Sequence, residues 1–236
     1  MKPFATTRWS LILAARDGPA AEAREALEAL FTAYWYPVYA FIRRQGHGAE
    51  EAKDLTQGYF TCFLEKEFLK SVRPELGSFR SFLMVSLRHF LSNERDRARA
   101  LKRGGGRPVL PLDGDSGEEA YRLEPVEELT PERLFERRWA LTVIDRALDR
   151  LCAQYAEQGR ADLFESLSPY LTAAEATERY AELAPVLGMS EGAIRVAVHR
   201  LRRRFGQSLR AEVSRTVVGP EDVDAELRHL LRAVRP

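Results

Sequence analysis

The chain has 236 residues, 45% hydrophobic and 30% charged, enough to bury a core and long enough for two compact units, which excludes disorder throughout. Cys62 and Cys152 supply no disulfide framework, paired-cysteine zinc spacing or redox dithiol, and there is no cleavable leader and no apolar run of about 18 residues; these features predict a soluble, cytoplasmic protein with no membrane partner. The formal net charge of +1 leaves nucleic-acid partners open, because it averages over segments of opposite sign.

Ala, Leu, Glu and Arg are abundant, apolar residues recur three and four apart, and neither an alternating strand pattern nor an Asn-Gly hairpin occurs, so the predicted fold is all-α. Pro37 is expected to interrupt the aromatic stretch Tyr34 to Phe41, and Gly46 and Gly48 end that segment before a helix from Ala49 to Glu67. A loop over Val72 to Gly77 leads into a helix from about Ser78 to Leu101, within a block (Arg80 to Arg107) of eight basic residues against two acidic ones.

Gly104, Gly105 and Gly106, followed by Pro108, Pro111, Gly114, Gly117 and Pro125, have the composition of a linker, and from Asp113 to Arg138 nine acids stand against four bases. Helical periodicity returns at Pro131, punctuated by Gly159, Pro169, Pro185 and Gly188. The last predicted element is a short amphipathic helix after Gly219, with Val223, Leu227, Leu230, Leu231 and Val234 on one face. The expected organisation is two helical domains, 1–103 and 131–216, joined by a flexible acidic linker over 104–130 and followed by a C-terminal amphipathic extension over 217–236.

The most specific signal runs from Tyr180 to Leu201 and reads as a helix-turn-helix: a short helix, a turn at Gly188 and a longer basic helix. Ala184 is small where two helices cross, Gly188 supplies a positive φ, and Ser190 caps the second helix with Glu191 favoured by its dipole. Leu183, Leu187, Met189, Ile194, Ala197, Leu201 and Phe205 form the apolar stripes. That leaves Arg195, Val196, His199, Arg200 and Arg203 for a major groove, with Arg202 and Arg204 as phosphate contacts. From Glu191 to Arg215, seven arginines stand against two glutamates.

Together with the segments Gly46 to Glu67 and Gly77 to Arg99, this motif makes the sequence resemble bacterial RNA polymerase sigma factors of the small two-domain, extracytoplasmic-function group, with region two over about Leu27 to Lys102 and region four over about Trp139 to Val213. Asp54-Leu-Thr-Gln57 is similar to the family's docking core for the polymerase β′ clamp helices, which implies polymerase-binding roles for Asp54, Leu55 and Gln57. The resemblance also implies that Phe79, Arg80, Phe82, Arg88, His89 and Asn93 capture the opened minus-ten strand. Aromatics that stack bases and arginines that hold phosphates suit that task. Ser190, Arg195, Val196, His199, Arg200 and Arg203 would meet the minus-thirty-five element.

This chain departs from the family where Phe82 replaces a common Trp, Val85 a frequent arginine and His89 a common Asn. The implied partners are core RNA polymerase, through the β′ clamp helices and the β flap, promoter DNA, and an anti-sigma factor or other regulator. Thr56, beside the docking carboxylate, is a candidate for phosphorylation that would change the charge of that surface. His47, His89, His199 and His229 lie in unrelated contexts, and no phosphate-binding loop or metal-ligand cluster is evident, so neither enzymatic activity nor a cofactor or metal is expected. The alternative is a stand-alone helix-turn-helix regulator with a helical sensing or dimerisation domain.

Overall fold

A computed structural model describes residues 20–63, 77–100, 115–122, 129–171 and 180–235, and every regular element among them is helical. In chain order they are α1 (Ala20–Arg44), α2 (Ala49–Phe63), α3 (Phe79–Ala100), α4 (Asp115–Arg122), α5 (Pro131–Glu157), α6 (Ala161–Leu167), α7 (Tyr180–Leu187), α8 (Glu191–Ser214) and α9 (Val223–Ala233). The all-α class expected from apolar periodicity is the one found. Among the described residues no helix is long and apolar enough to cross a membrane, and no group of His, Cys, Asp or Glu is arranged to hold a metal ion.

The described residues form two compact units, one up to Thr142 together with Ser214 onward, the other Val143–Val213. Residues 217–235, expected as an appended extension, fall in the first unit. The expected linker contains α4, while residues 64–76, 101–114 and 123–128 lie outside the described set, and with them the end of the helix predicted to reach Glu67, most of the predicted loop before α3, and the Gly104 to Gly106 hinge.

The first unit is built on an aromatic core. α1 closes on Gly46, whose φ of 95° suits a residue without a side chain and whose N–H donates to the Arg43 carbonyl at 3.0 Å. Glu50 and Glu51 sit in the first turn of α2, where the helix dipole favours them. Ala52, Thr56, Tyr59 and Phe60 of α2, and Phe79, Leu83, Leu87 and Leu91 of α3, are buried at helical spacing.

Tyr59 ties these two helices together: its hydroxyl donates to the Leu83 carbonyl at 3.1 Å and shares a hydrogen bond of 2.6 Å with Ser86 Oγ. Burial pushes its phenol far above the ordinary tyrosine range, so it stays protonated wherever the unit is folded. Gly58 allows the Phe90 ring to lie against the α2 backbone, at a distance where even a β-carbon would be tight.

The expected break at Pro37 does not occur, since α1 runs through it. Proline in a helix costs about 3 kcal/mol, whereas each large side chain buried contributes about 1.5–3 kcal/mol. Tyr34, Val38, Tyr39, Phe41 and Ile42 around it are all essentially inaccessible. Packing therefore outweighs the local preference.

α4 docks on α1 of the same unit. Gly117 faces the Trp35 ring, which would collide with any side chain at that position. Glu118 accepts hydrogen bonds from Tyr39 Oη at 2.5 Å and from Arg43 Nε and Nη2 at 3.0 Å each, and the Arg43 guanidinium stacks 4.8 Å from the Tyr121 ring centre. The Arg43 and Tyr39 hydrogen bonds hold the Glu118 carboxyl below the usual glutamate range. Burial, and then the Glu118 carboxylate, raise the Tyr39 phenol. α5 opens with Thr130 as its cap, accepting from the Arg133 N–H at 3.3 Å, and Pro131 in its first turn.

In the second unit the core gathers Leu151 and Tyr155 of α5, Leu167 of α6, Tyr170, Tyr180 of α7, and Ile194, Val198 and Leu201 of α8. Gly159, at a φ of 66°, stops α5 and lets the Arg160 N–H reach back to the Tyr155 carbonyl at 2.9 Å.

Candidate nucleic-acid interface

In the second unit, α7 ends at Leu187, Gly188 turns the chain with a φ of 60°, and the Met189 N–H returns to the Ala184 carbonyl at 3.1 Å. Ser190 caps α8, accepting from the Ala193 N–H at 3.2 Å through Oγ and from the Ile194 N–H at 3.0 Å through its carbonyl. The side chain is thus used by the helix, and its place in the expected DNA-facing set rests on its position at the entry of α8. Ile194, Val198 and Leu201 turn inward at spacings of four and three, with Ala197 and Phe205 half-buried beside them. Val198 and Tyr180 join this core although neither is in the predicted stripe.

The opposite face carries Arg195, Val196, His199, Arg200 and Arg203, all exposed. None of the three arginines forms an ion pair or hydrogen bond with another described residue, so their donors face solvent. Residues 195, 199 and 203 are four apart and Val196 and Arg200 fill the adjoining row, giving one cationic ridge two turns long. Its chemistry matches an anionic duplex: arginine forks fit phosphates and guanine edges, and Val196, half-exposed at 49%, offers an apolar contact.

Two expected phosphate contacts are engaged elsewhere. Arg202 donates Nε and Nη2 to the Tyr170 carbonyl at 3.0 and 2.8 Å, anchoring α8 to the turn after α6. Arg204 lies 5.3 Å from the Tyr155 ring centre and reaches Gln158 Oε1 at 3.4 Å. Neither is presented with the ridge, because each has found a partner distant in sequence that helical spacing alone does not reveal.

In the first unit Asp54 is exposed, Leu55 half-buried and Gln57 buried. Of the expected docking set only the carboxylate stands in solvent. Thr56 is inaccessible and its Oγ1 donates to the Ala52 carbonyl at 2.7 Å, so a kinase would have to unwind α2 to reach it; this removes the phosphorylation expectation for the folded state.

The six residues expected to hold a single strand divide along α3. Phe79 is 0% exposed and edge-on to Tyr34 with centroids 5.2 Å apart, so as folded it cannot stack on a base. Arg80 is held by two carboxylates, Nη1 at 3.0 Å from Glu136 Oε1 and Nε at 3.2 Å from Glu226 Oε1, with its guanidinium 5.3 Å from the Trp139 ring centre. Phe82 is half-buried. Arg88 is exposed and reaches Glu132 at 2.8 Å, a solvated ion pair worth at most about 1 kcal/mol that a phosphate can replace. His89 and Asn93 are exposed, and with the 52%-exposed Val85 they line one outward face at four-residue spacing. The corrections at Phe79 and Arg80 share a cause: helical spacing identifies a face, but which face is covered depends on the residues that fold back on it.

No family model, curated protein or solved structure matches the chain.

Proposed function

We infer that this protein is a promoter-recognition subunit of bacterial RNA polymerase, a sigma factor of the two-domain type that the sequence resembles. On this reading the α8 ridge of Arg195, Val196, His199, Arg200 and Arg203 reads the minus-thirty-five duplex, with Ser190 at its entry. The outward face of α3 bearing Arg88, His89 and Asn93 meets the opened minus-ten strand, Asp54 docks on the β′ clamp helices, and the polymerase supplies the catalysis. The observation that carries the reading is the free ridge on the second helix of a capped helix-turn-helix: its three arginines have no partner among the described residues, while their neighbours Arg202 and Arg204 are anchored.

The test is transcription in vitro with core polymerase on a genomic promoter library. The expected outcome is RNA initiated at bipartite promoters only when the protein is present. Folded protein that binds a palindromic duplex as a dimer, without polymerase and without initiated RNA, would instead identify a stand-alone regulator.

A further inference from the structure

The segment that follows α8 folds back on the start of α3 in the same unit. The Thr216 carbonyl accepts the Phe79 N–H at 2.8 Å, Thr216 and Val217 are buried, and α9 sinks Val223 and Leu230 into the unit. From α9, Glu226, itself only 7% exposed, reaches Arg80 Nε, while Glu136 of α5 takes Arg80 Nη1. The two carboxylates occupy both sides of the guanidinium, whose side chain keeps 12% of its accessible surface. Nε and Nη1 of this arginine are thus committed to carboxylates and little of its side chain is accessible, and adding a phosphate beside two carboxylates would be repulsive. A few residues further along the same helix, Val85, Arg88, His89 and Asn93 stand open.

We propose that the segment from Thr216 through α9 is an autoinhibitory strap, which holds Arg80 and the first turn of α3 away from single-stranded DNA until it is displaced. This rests on the assignment of α3 to an unpaired strand. The strap's contacts include the Thr216 carbonyl bond to Phe79, the Arg80 ion cluster, His229 beside Glu136 and Trp139, and the buried Val217, Val223 and Leu230; these polar contacts fall on the first turn of α3 and on α5, not on Tyr34, Tyr59 or Leu83. Displacement would add Arg80 to the basic surface formed by Arg88 and lengthen the strand-holding face toward the start of the helix.

The experiment uses the full chain with Leu230→Gln, which loosens α9 without changing charge, and Glu226→Ala, which removes the strap's carboxylate from Arg80 and leaves that of Glu136. Hydrogen exchange at the Phe79 amide reports whether the strap is on, and fluorescence anisotropy of a labelled oligothymidylate reports strand binding. Expected in Leu230→Gln are faster exchange at Phe79 and about tenfold tighter binding, the gain when a surface open in roughly one molecule in ten becomes open in all. The salt dependence should steepen by about one phosphate contact. Adding Arg80→Ala to Leu230→Gln should abolish the gain.

Exchange at Phe79 unchanged in both variants would show that the segment is a fixed part of the fold and overturn the proposal. Faster exchange with unchanged strand affinity, in a protein that still supports transcription with core polymerase, would overturn the strap alone. Loss of the proposal together with the functional assignment would be marked by no binding of single strand or duplex in any variant, with or without polymerase.

Discussion

Arg200 and Arg203 lie on the same ridge yet should behave differently if one reads bases and the other the backbone. Arg200→Ala is expected to weaken binding to the cognate duplex by about 1–3 kcal/mol and to relax preference at one position. Arg203→Ala should weaken all sequences alike and reduce the salt slope by about one. Competition binding across a promoter-variant set separates the two, and unchanged affinity and preference in both would remove the ridge from DNA. Ser190→Ala removes the α8 cap seen at Ala193 and should destabilise the unit by about 0.5–2 kcal/mol in urea unfolding. An unchanged midpoint would mean the cap contributes nothing. The cap, the turn and the outward placement of these arginines were legible in the sequence because they are local, each set by residues within one or two helical turns.

The helices themselves were less legible where tertiary contacts compete with local preference. α1 passes through Pro37 because the aromatic side chains on either side are buried together, and α4 forms inside a stretch rich in Gly and Pro because Glu118 finds Arg43 and Tyr39. Since these hydrogen bonds lower the Glu118 pKa, the carboxylate form stabilises the docked helix above the ordinary glutamate pKa of about 4.3, and that contribution is lost as pH falls through the lower folded value. Hydrogen exchange across α4 is therefore expected to accelerate in acid before the aromatic core opens. The acid dependence should disappear in Glu118→Gln, and its persistence there would assign the step to another group.

Asp54 is the most exposed of the expected docking residues, and on the proposed reading it is the point of attachment to a polymerase. Asp54→Ala is expected to leave thermal stability within about 0.5 kcal/mol, as for other surface substitutions, and to weaken binding to core polymerase by about 1 kcal/mol or more. Equal affinity of the two proteins in a pull-down titration with core enzyme would take Asp54 out of that interface. Loss of affinity with normal duplex binding by α8 would show that the units carry separable tasks.

The helical class, the capped helix-turn-helix and its outward arginines followed from the sequence itself, because 3.6-residue periodicity, a positive-φ glycine and a capping serine act over short spans of chain. Which polar residues remain available was decided only by the tertiary structure. Glu226 reaches Arg80 across 146 positions, the Tyr170 carbonyl holds Arg202, and Trp35 leaves room only for Gly117. Such pairings depend on chain segments brought together by core burial, and a one-dimensional pattern contains the partners without the distance between them.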